Sequence, residues 1–173
     1  MIRKAEKCDI PQIAEIYNKL HTMEEEGKTS IGWVRNIYPT EETAAEAIKS
    51  GDMYVLEKEN KICAAARINK IQVPEYANAS WKYKDVSDDD IMVLHTLVVD
   101  PSCSGKGYGT SFVKFYENYA TGNNCHHLRM DTNFINMAAR KLYAKLGYWE
   151  ADVVPCMFNG ISNVRLVCLE KKI

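Results

Sequence analysis

The hydrophobic pattern of the chain predicts an α/β fold in the order β-α-α-β-β-β-α-β-α-β-β. Three stretches decide this. Ile91-Met92-Val93-Leu94-His95-Thr96-Leu97-Val98-Val99 is apolar and β-branched and stops at Asp100-Pro101, as a buried strand does. Phe112, Phe115, Tyr116 and Tyr119 then recur at helical spacing. Further on, Ala139, Leu142, Tyr143 and Leu146 share one face of a second helix, with Arg140, Lys141 and Lys145 outside it and Gly147 as its closing residue. A length of 173 residues is suited to one domain, 1–173, with a substantial core.

The remaining elements follow in chain order. Met1 to Ala5 reads as a short strand. Asp9 can cap a helix with Pro11 in its first turn and Ile13, Ile16, Tyr17 and Leu20 as its apolar stripe. Residues 27–39 form an aromatic-rich connection. Thr40-Glu41-Glu42 opens a second helix with acids in its first turn, closed by Gly51. Residues 52–58 and 61–73 pair as a hairpin around Glu59-Asn60. Residues 74–90, with Pro74, Trp81 and Asp88-Asp89-Asp90, read as a long loop, the acids at a solvated tip. Cys125 to Thr132 reads as a strand, and residues 148–155 and 161–170 as the last two, joined through 156–160.

Apolar residues make up 46% and charged residues 26%, close to globular norms. A net charge of −1 gives no electrostatic case for nucleic acid or an anionic membrane. The six cysteines, at 8, 63, 103, 125, 156 and 168, form no Cys-x-x-Cys pair. Cys125-His126-His127 is too contracted for a zinc finger, so no metal is expected, and free thiols in a reducing cytoplasm account for the cysteines. The N-terminus has no apolar signal core and no run reaches membrane-spanning length, so the expected location is cytoplasmic.

The most informative segment is Ser104-Gly105-Lys106-Gly107-Tyr108-Gly109-Thr110, between the strand 91–99 and the helix that follows. A glycine-rich turn entering a helix aims several N–H groups and the positive end of the dipole at one point, which suits a phosphate-bearing ligand. P-loop spacing is absent. The dinucleotide fingerprint fails in both registers, because Thr110 and Phe112 stand where its third glycine belongs. What remains resembles the acetyl-CoA-binding motif of the Gcn5-related N-acetyltransferases (GNAT superfamily), with Ser104 where that family has Arg or Gln. Asn136-Met137-Ala138-Ala139-Arg140-Lys141-Leu142-Tyr143-Ala144-Lys145-Leu146-Gly147-Tyr148 is similar to the family's second signature, Asn-x-x-Ala-x-x-x-Tyr-x-x-x-Gly-Phe/Tyr. The two occur in the family's order with a strand between them.

The resemblance implies a central mixed, mostly antiparallel sheet of about seven strands flanked by about four helices. It also implies acetyl-CoA as co-substrate, its pyrophosphate on the amides of Ser104 to Thr110 and its pantetheine along Leu97, Val98 and Val99, with Asn136 and Tyr143 nearby. Acetyl transfer to an amine needs a base, a donor to the developing oxyanion and an acid for the leaving thiolate. By resemblance Tyr143 is the acid, and the N–H of Leu97 or Val99 is the oxyanion donor. His95 is the base candidate, since strand alternation would place it on the face of Leu97 and Val99. The alternative is a hydrogen-bonded core histidine, with a water chain taking the proton.

The family's usual acceptor segments put Trp33, Tyr38, His95, Phe158 and Asn159 around the acceptor, although Trp33 and Tyr38 could instead cover the sheet edge. Three functions fit: acetylation of a small-molecule amine, acetylation of a protein or peptide amine, and acyl-CoA sensing without turnover. Tyr143 favours catalysis, and the aromatic 28–39 segment with the 74–90 loop favours a small acceptor. A homodimer is one of the assemblies open to the chain.

Overall fold

A computed structural model describes residues 1–173. Seven strands form one sheet: β1 (Ile2–Lys4), β2 (Met53–Lys58), β3 (Lys61–Asn69), β4 (Ile91–Val99), β5 (His127–Asn133), β6 (Trp149–Phe158) and β7 (Ile161–Lys172). Their spatial order is β1-β2-β3-β4-β5-β7-β6, and every neighbouring pair is antiparallel except β4 and β5. The helices are α1 (Ile10–Glu25), α2 (Glu41–Lys49), α3 (Tyr108–Gly122) and α4 (Met137–Lys145). The predicted order holds element for element.

Each helix buries the stripe its sequence marks. Ile13, Ile16 and Tyr17 of α1 pack with Ala44 and Ala47 of α2 on Val55, Ile62, Ala65 and Val98. On the opposite face, Phe112, Val113 and Tyr116 of α3 and Tyr143 of α4 cover Ala64, Ala66, Met92, Leu94, Leu128 and Met130. Burying each large apolar side chain contributes roughly 1.5–3 kcal/mol. Tyr116 shows how a core tyrosine is satisfied: its hydroxyl donates to the carbonyls of Met92 and Arg129, at 2.6 and 3.1 Å.

Several local expectations need correction. Asp9 precedes α1 directly, yet its carboxylate accepts from the Glu6 N–H and from Arg3 instead of capping the helix. Strand β3 ends at Asn69, four residues short of the expected 73, and β6 runs on to Phe158. The last connection is therefore only Asn159-Gly160, both at positive φ as a type I′ hairpin requires.

The 74–90 segment is not a free loop. Tyr76 and Trp81 are buried, and with Val73, Ala79 and Val86 they pack on Ile91, Val93, Val154, Val164, Leu166 and Cys168. The six cysteines are free thiols. No helix is long and apolar enough to cross a membrane.

The consequential departure from regular structure is in β4. Its parallel pairing with β5 covers only Ile91↔His127 to Leu94↔Met130, and beyond that the strands part. On the other edge, Arg67 of β3 pairs with His95 and Ala65 with Val98, so Ala66 faces two residues, Thr96 and Leu97. This is a β-bulge, and Thr96 adopts φ 52°, an uncommon conformation for a β-branched residue. The extra residue bends the strand away from β5 and reverses the alternation of everything after it.

Candidate active site

A cavity of about 600 Å³ fills the gap where β4 leaves β5. Of the residues singled out in the sequence, Trp33, Tyr38, His95, Leu97, Val98, Val99, Asn136, Tyr143, Phe158 and Asn159 all line it. Ser104 to Thr110 lie beyond its lining, at the N-terminal end of α3.

The glycine loop has the form a diphosphate needs. Gly105 and Gly107 take φ 76° and 75°, and a Cβ at either would meet nothing within 4 Å. The Ser104 N–H is already bonded to Pro101 O and the Ser111 N–H to Gly107 O. Between them, the amides of Gly105, Lys106, Gly107, Tyr108, Gly109 and Thr110 have no acceptor in the protein. Six consecutive free donors around two left-handed glycines, at the positive end of a 15-residue helix, form an anion cradle. Ser104 thus contributes no amide to this cradle. Gly109 serves packing: a Cβ there would lie 3.3 Å from Leu142 and 3.8 Å from Val99.

The splay also frees backbone donors. The Asp100 N–H bonds Cys63 O on β3, so alternation turns the N–H groups of Val99 and Leu97 toward the cleft. Asn136 caps α4, its side chain accepting the Ala139 N–H at 3.2 Å. That fixes the start of the helix carrying Tyr143. Tyr143 is 6% exposed, and its hydroxyl has no hydrogen-bond partner in the protein. It opens into the cavity, in contrast with Tyr116. Burial raises its pKa well above that of a free phenol, so it keeps its proton at neutral pH.

His95 is not placed as alternation predicts. Leu97 and Val99 pack with Met92 and Leu94 on the α3–α4 face, whereas His95 pairs with Arg67 on the face of Ala65 and Val98. The bulge at Thr96 is the cause. Asn69 donates its amide nitrogen to Asp52, which can only accept, so its Oδ1 faces His95 Nε2 at 3.0 Å and that nitrogen is the donor. Burial, with the nearby Arg67 charge, lowers the His95 pKa to about 4. The imidazole is therefore neutral and a weak base.

A different group has the proton affinity of a base. Asp131 is the first β5 residue past the last β4 pair, at the apex of the splay. Its neighbours Met130 and Leu128 face α3, so its carboxyl points to the opposite side, into the cavity. Burial raises its pKa to about 7. Oδ2 accepts the Tyr76 hydroxyl at 2.7 Å and Oδ1 has no partner in the protein. A lone acid near the end of a strand that leads into the second signature was the available sequence signal. Nothing local distinguished it from an edge polar residue.

The connection between α1 and α2 roofs the acceptor end. The N–H groups of Ile31 and Gly32 bond the Glu24 carboxylate at 2.7 and 2.9 Å. A Cβ on Gly32 would collide with the Asn133 side chain, and the Ile37 side chain lies against Gly160. Trp33 meets Tyr38 edge-on with centroids 6.2 Å apart, and the Tyr38 hydroxyl bonds Thr96 Oγ1.

Comparison with known proteins agrees with this geometry. The model of the acetyltransferase (GNAT) family matches residues 11–148. The chain belongs to the GNAT acetyltransferase family. An uncharacterised N-acetyltransferase of Methanocaldococcus jannaschii is 33% identical over 77 residues, 44% of this chain and 49% of the relative, so the match spans about half of that protein. A GNAT-family acetyltransferase from Streptococcus agalactiae superposes with TM-score 0.83 over 100% of this chain and 95% of its own, at 20% identity. A Salmonella typhimurium protein of the acetyltransferase class, solved with acetyl-CoA, gives 0.70 over 99% and 92%, at 18% identity. At these identities both structures establish the fold.

The cradle can be tested directly. Acetyl-CoA at 100 times its Kd should stabilise the GNAT chain by about 2.7 kcal/mol, seen as a raised Tm, while NAD and ATP leave Tm unchanged. Gly107→Ala places a methyl group in the cradle at a strained φ. It should abolish the acetyl-CoA shift at a stability cost of about 1 kcal/mol. An undiminished shift in this variant contradicts the assignment.

Proposed function

We propose that the chain is an acetyl-CoA-dependent N-acetyltransferase acting on a primary amine of a small molecule, by direct transfer in a ternary complex, with residues 1–173 as one catalytic domain. The observation that carries this reading is the convergence on one cleft of a carboxyl with pKa about 7, Asp131, and an unpartnered phenol, Tyr143, arriving from opposite faces of the sheet. Acetyl-CoA supplies the acetyl group as a thioester when bound.

The protein's groups divide the work. The amides of Gly105 to Thr110 hold the diphosphate, and those of Leu97 and Val99 donate to the pantetheine and to the developing oxyanion. Asp131 Oδ1 takes the proton from the amine, so that its lone pair can form the C–N bond. Tyr143 gives its proton to the sulfur as the C–S bond breaks. With the Asp131 pKa near 7, a large fraction is ionised at neutral pH and the carboxylate still has useful basicity. His95 orients its surroundings through Asn69 and takes no proton.

The roof supports a small acceptor, because Asn133 lies against Gly32 and Ile37 against Gly160 at the acceptor end of the cavity. A peptide amine is the second reading. It is favoured by the exposed apolar side chains of Val34, Ile37, Ile71, Ile135, Met137 and Met157 on the segments that flank the cavity lining. A panel of amino acids, polyamines, aminoglycosides and peptide N-termini, assayed with acetyl-CoA for thiol release, decides. Saturable turnover of a small amine is expected. Turnover of peptides alone would establish the second reading, and thiol release with none, despite coenzyme binding, would make the chain a sensor.

A further inference from the structure

We propose that Tyr76 is a positioning residue for the transfer reaction: carried in by the 72–86 segment, its hydroxyl holds the Asp131 carboxyl in one orientation and sets its affinity for a proton. The proposal rests on Asp131 being the base and extends that reading to a part of the chain with no place in either family signature.

Tyr76 is firmly delivered. It sits in a short 3-10 turn opened by Pro74, and its N–H bonds Val73 O at 3.0 Å. The Trp81 indole N–H bonds the Tyr76 carbonyl at 2.9 Å, and the two rings meet edge-on at 5.1 Å. The Arg129 guanidinium covers the other side of Trp81 at 4.0 Å and bonds Gln72 Oε1 and Tyr83 O. The Glu170 carboxylate takes the N–H of Lys82, and Asp152 takes that of Ser80. Three charged side chains from three different strands therefore pin a segment whose interior tip is Tyr76, itself only 2% exposed.

The contact it makes is directional. With Oδ2 bonded to Tyr76, the two carboxyl oxygens of Asp131 are no longer equivalent, and Oδ1 alone is left to meet an acceptor in the cavity. A neutral donor on a carboxylate favours the charged form, which opposes the effect of burial. The other titratable groups facing this carboxyl are Glu75 beside Tyr76, Tyr38 from the roof, Tyr143 from α4, Cys156 from β6 and Cys168 from β7. Two cations share these surroundings: Arg129, on the same face of β5, is held by Gln72, Tyr83 and the Trp81 ring, and Arg67 on the cavity lining is held by Asp52. Neither hydrogen-bonds the carboxyl, and His95 on β4 is engaged with Asn69. Tyr76 is therefore the single hydrogen-bond donor from the protein to Asp131.

Tyr76→Phe keeps the ring and removes the hydroxyl. The Asp131 carboxyl should then bind its proton more tightly, by roughly 0.5–1 pH unit for one lost hydrogen bond. The acidic limb of kcat/KM should move up by the same amount, a 3- to 10-fold loss near pH 6 that disappears above pH 8.5. Trp81→Phe loosens the same cluster but leaves the hydroxyl, so it should lower Tm without moving the limb.

Titrating the 13C-labelled aspartate carboxyl resonance that disappears in Asp131→Asn reads the proton affinity without reference to turnover. An unmoved carboxyl titration in Tyr76→Phe, or an equal shift in Trp81→Phe, overturns the role of Tyr76. A carboxyl titration that rises while the kinetic limb stays fixed shows instead that Asp131 is not the base.

Discussion

Asp131→Asn should lower kcat/KM at pH 8 on the order of 10²–10⁴-fold, the contribution typical of a general base. Asparagine has the same shape, and its Oδ1 can still accept from Tyr76, so the cavity is retained while the proton acceptor is lost. Stability separates this from misfolding. The folded carboxyl has its pKa raised to about 7, whereas an unfolded aspartate titrates near ~4. Between those values the folded state binds more protons than the unfolded one, so the parent protein loses stability as pH rises through that window. Asparagine has no such loss. The Tm of the variant relative to the parent should therefore climb from pH 5 to pH 8 as activity stays low. A variant that is inactive and also melts earlier at pH 8 would mean that Asp131 acts structurally.

Tyr143→Phe is the second large effect. The ring keeps its place among Phe112, Tyr116 and Tyr148, and the hydroxyl it loses has no bond to the protein. Tm should change little. A core tyrosine such as Tyr116, stripped of its two carbonyl bonds, would lose about 1 kcal/mol or more. What Tyr143→Phe loses is the proton for the departing thiolate, so kcat should fall on the order of 10²-fold with acetyl-CoA affinity intact. Full turnover would remove Tyr143 from the chemistry.

The parts of this architecture that sequence reveals are those governed by local periodicity. The apolar run of β4, the stripes of α1 and α3, and the paired glycines before α3 each carry their structure in residues a few positions apart. The bulge at Thr96 does not. One inserted residue puts Leu97 and Val99 on the face opposite His95, and its signal is a register shift against β3, about thirty residues away in the chain. The 74–90 segment is illegible for a related reason. Proline, tryptophan and a run of aspartates look like a loop, and the side chains that fold it down come from β5, β6 and β7, up to 88 residues distant. Asp131 is visible in sequence as a polar residue on a strand. Its proton affinity is a product of burial at the apex of the splay, which only the fold creates.

In the proposed mechanism the proton of the acceptor amine goes to Asp131 and not to the more conspicuous His95. The pH dependence of kcat/KM, measured on the parent protein, His95→Gln and Asp131→Asn, tests it most directly. Gln can replace the Nε2–H donor to Asn69, so His95→Gln should keep an acidic limb near pH 7 and a rate within a few-fold of the parent. The residual activity of Asp131→Asn should show no limb there. Loss of the limb in His95→Gln, with its survival in Asp131→Asn, would contradict the account.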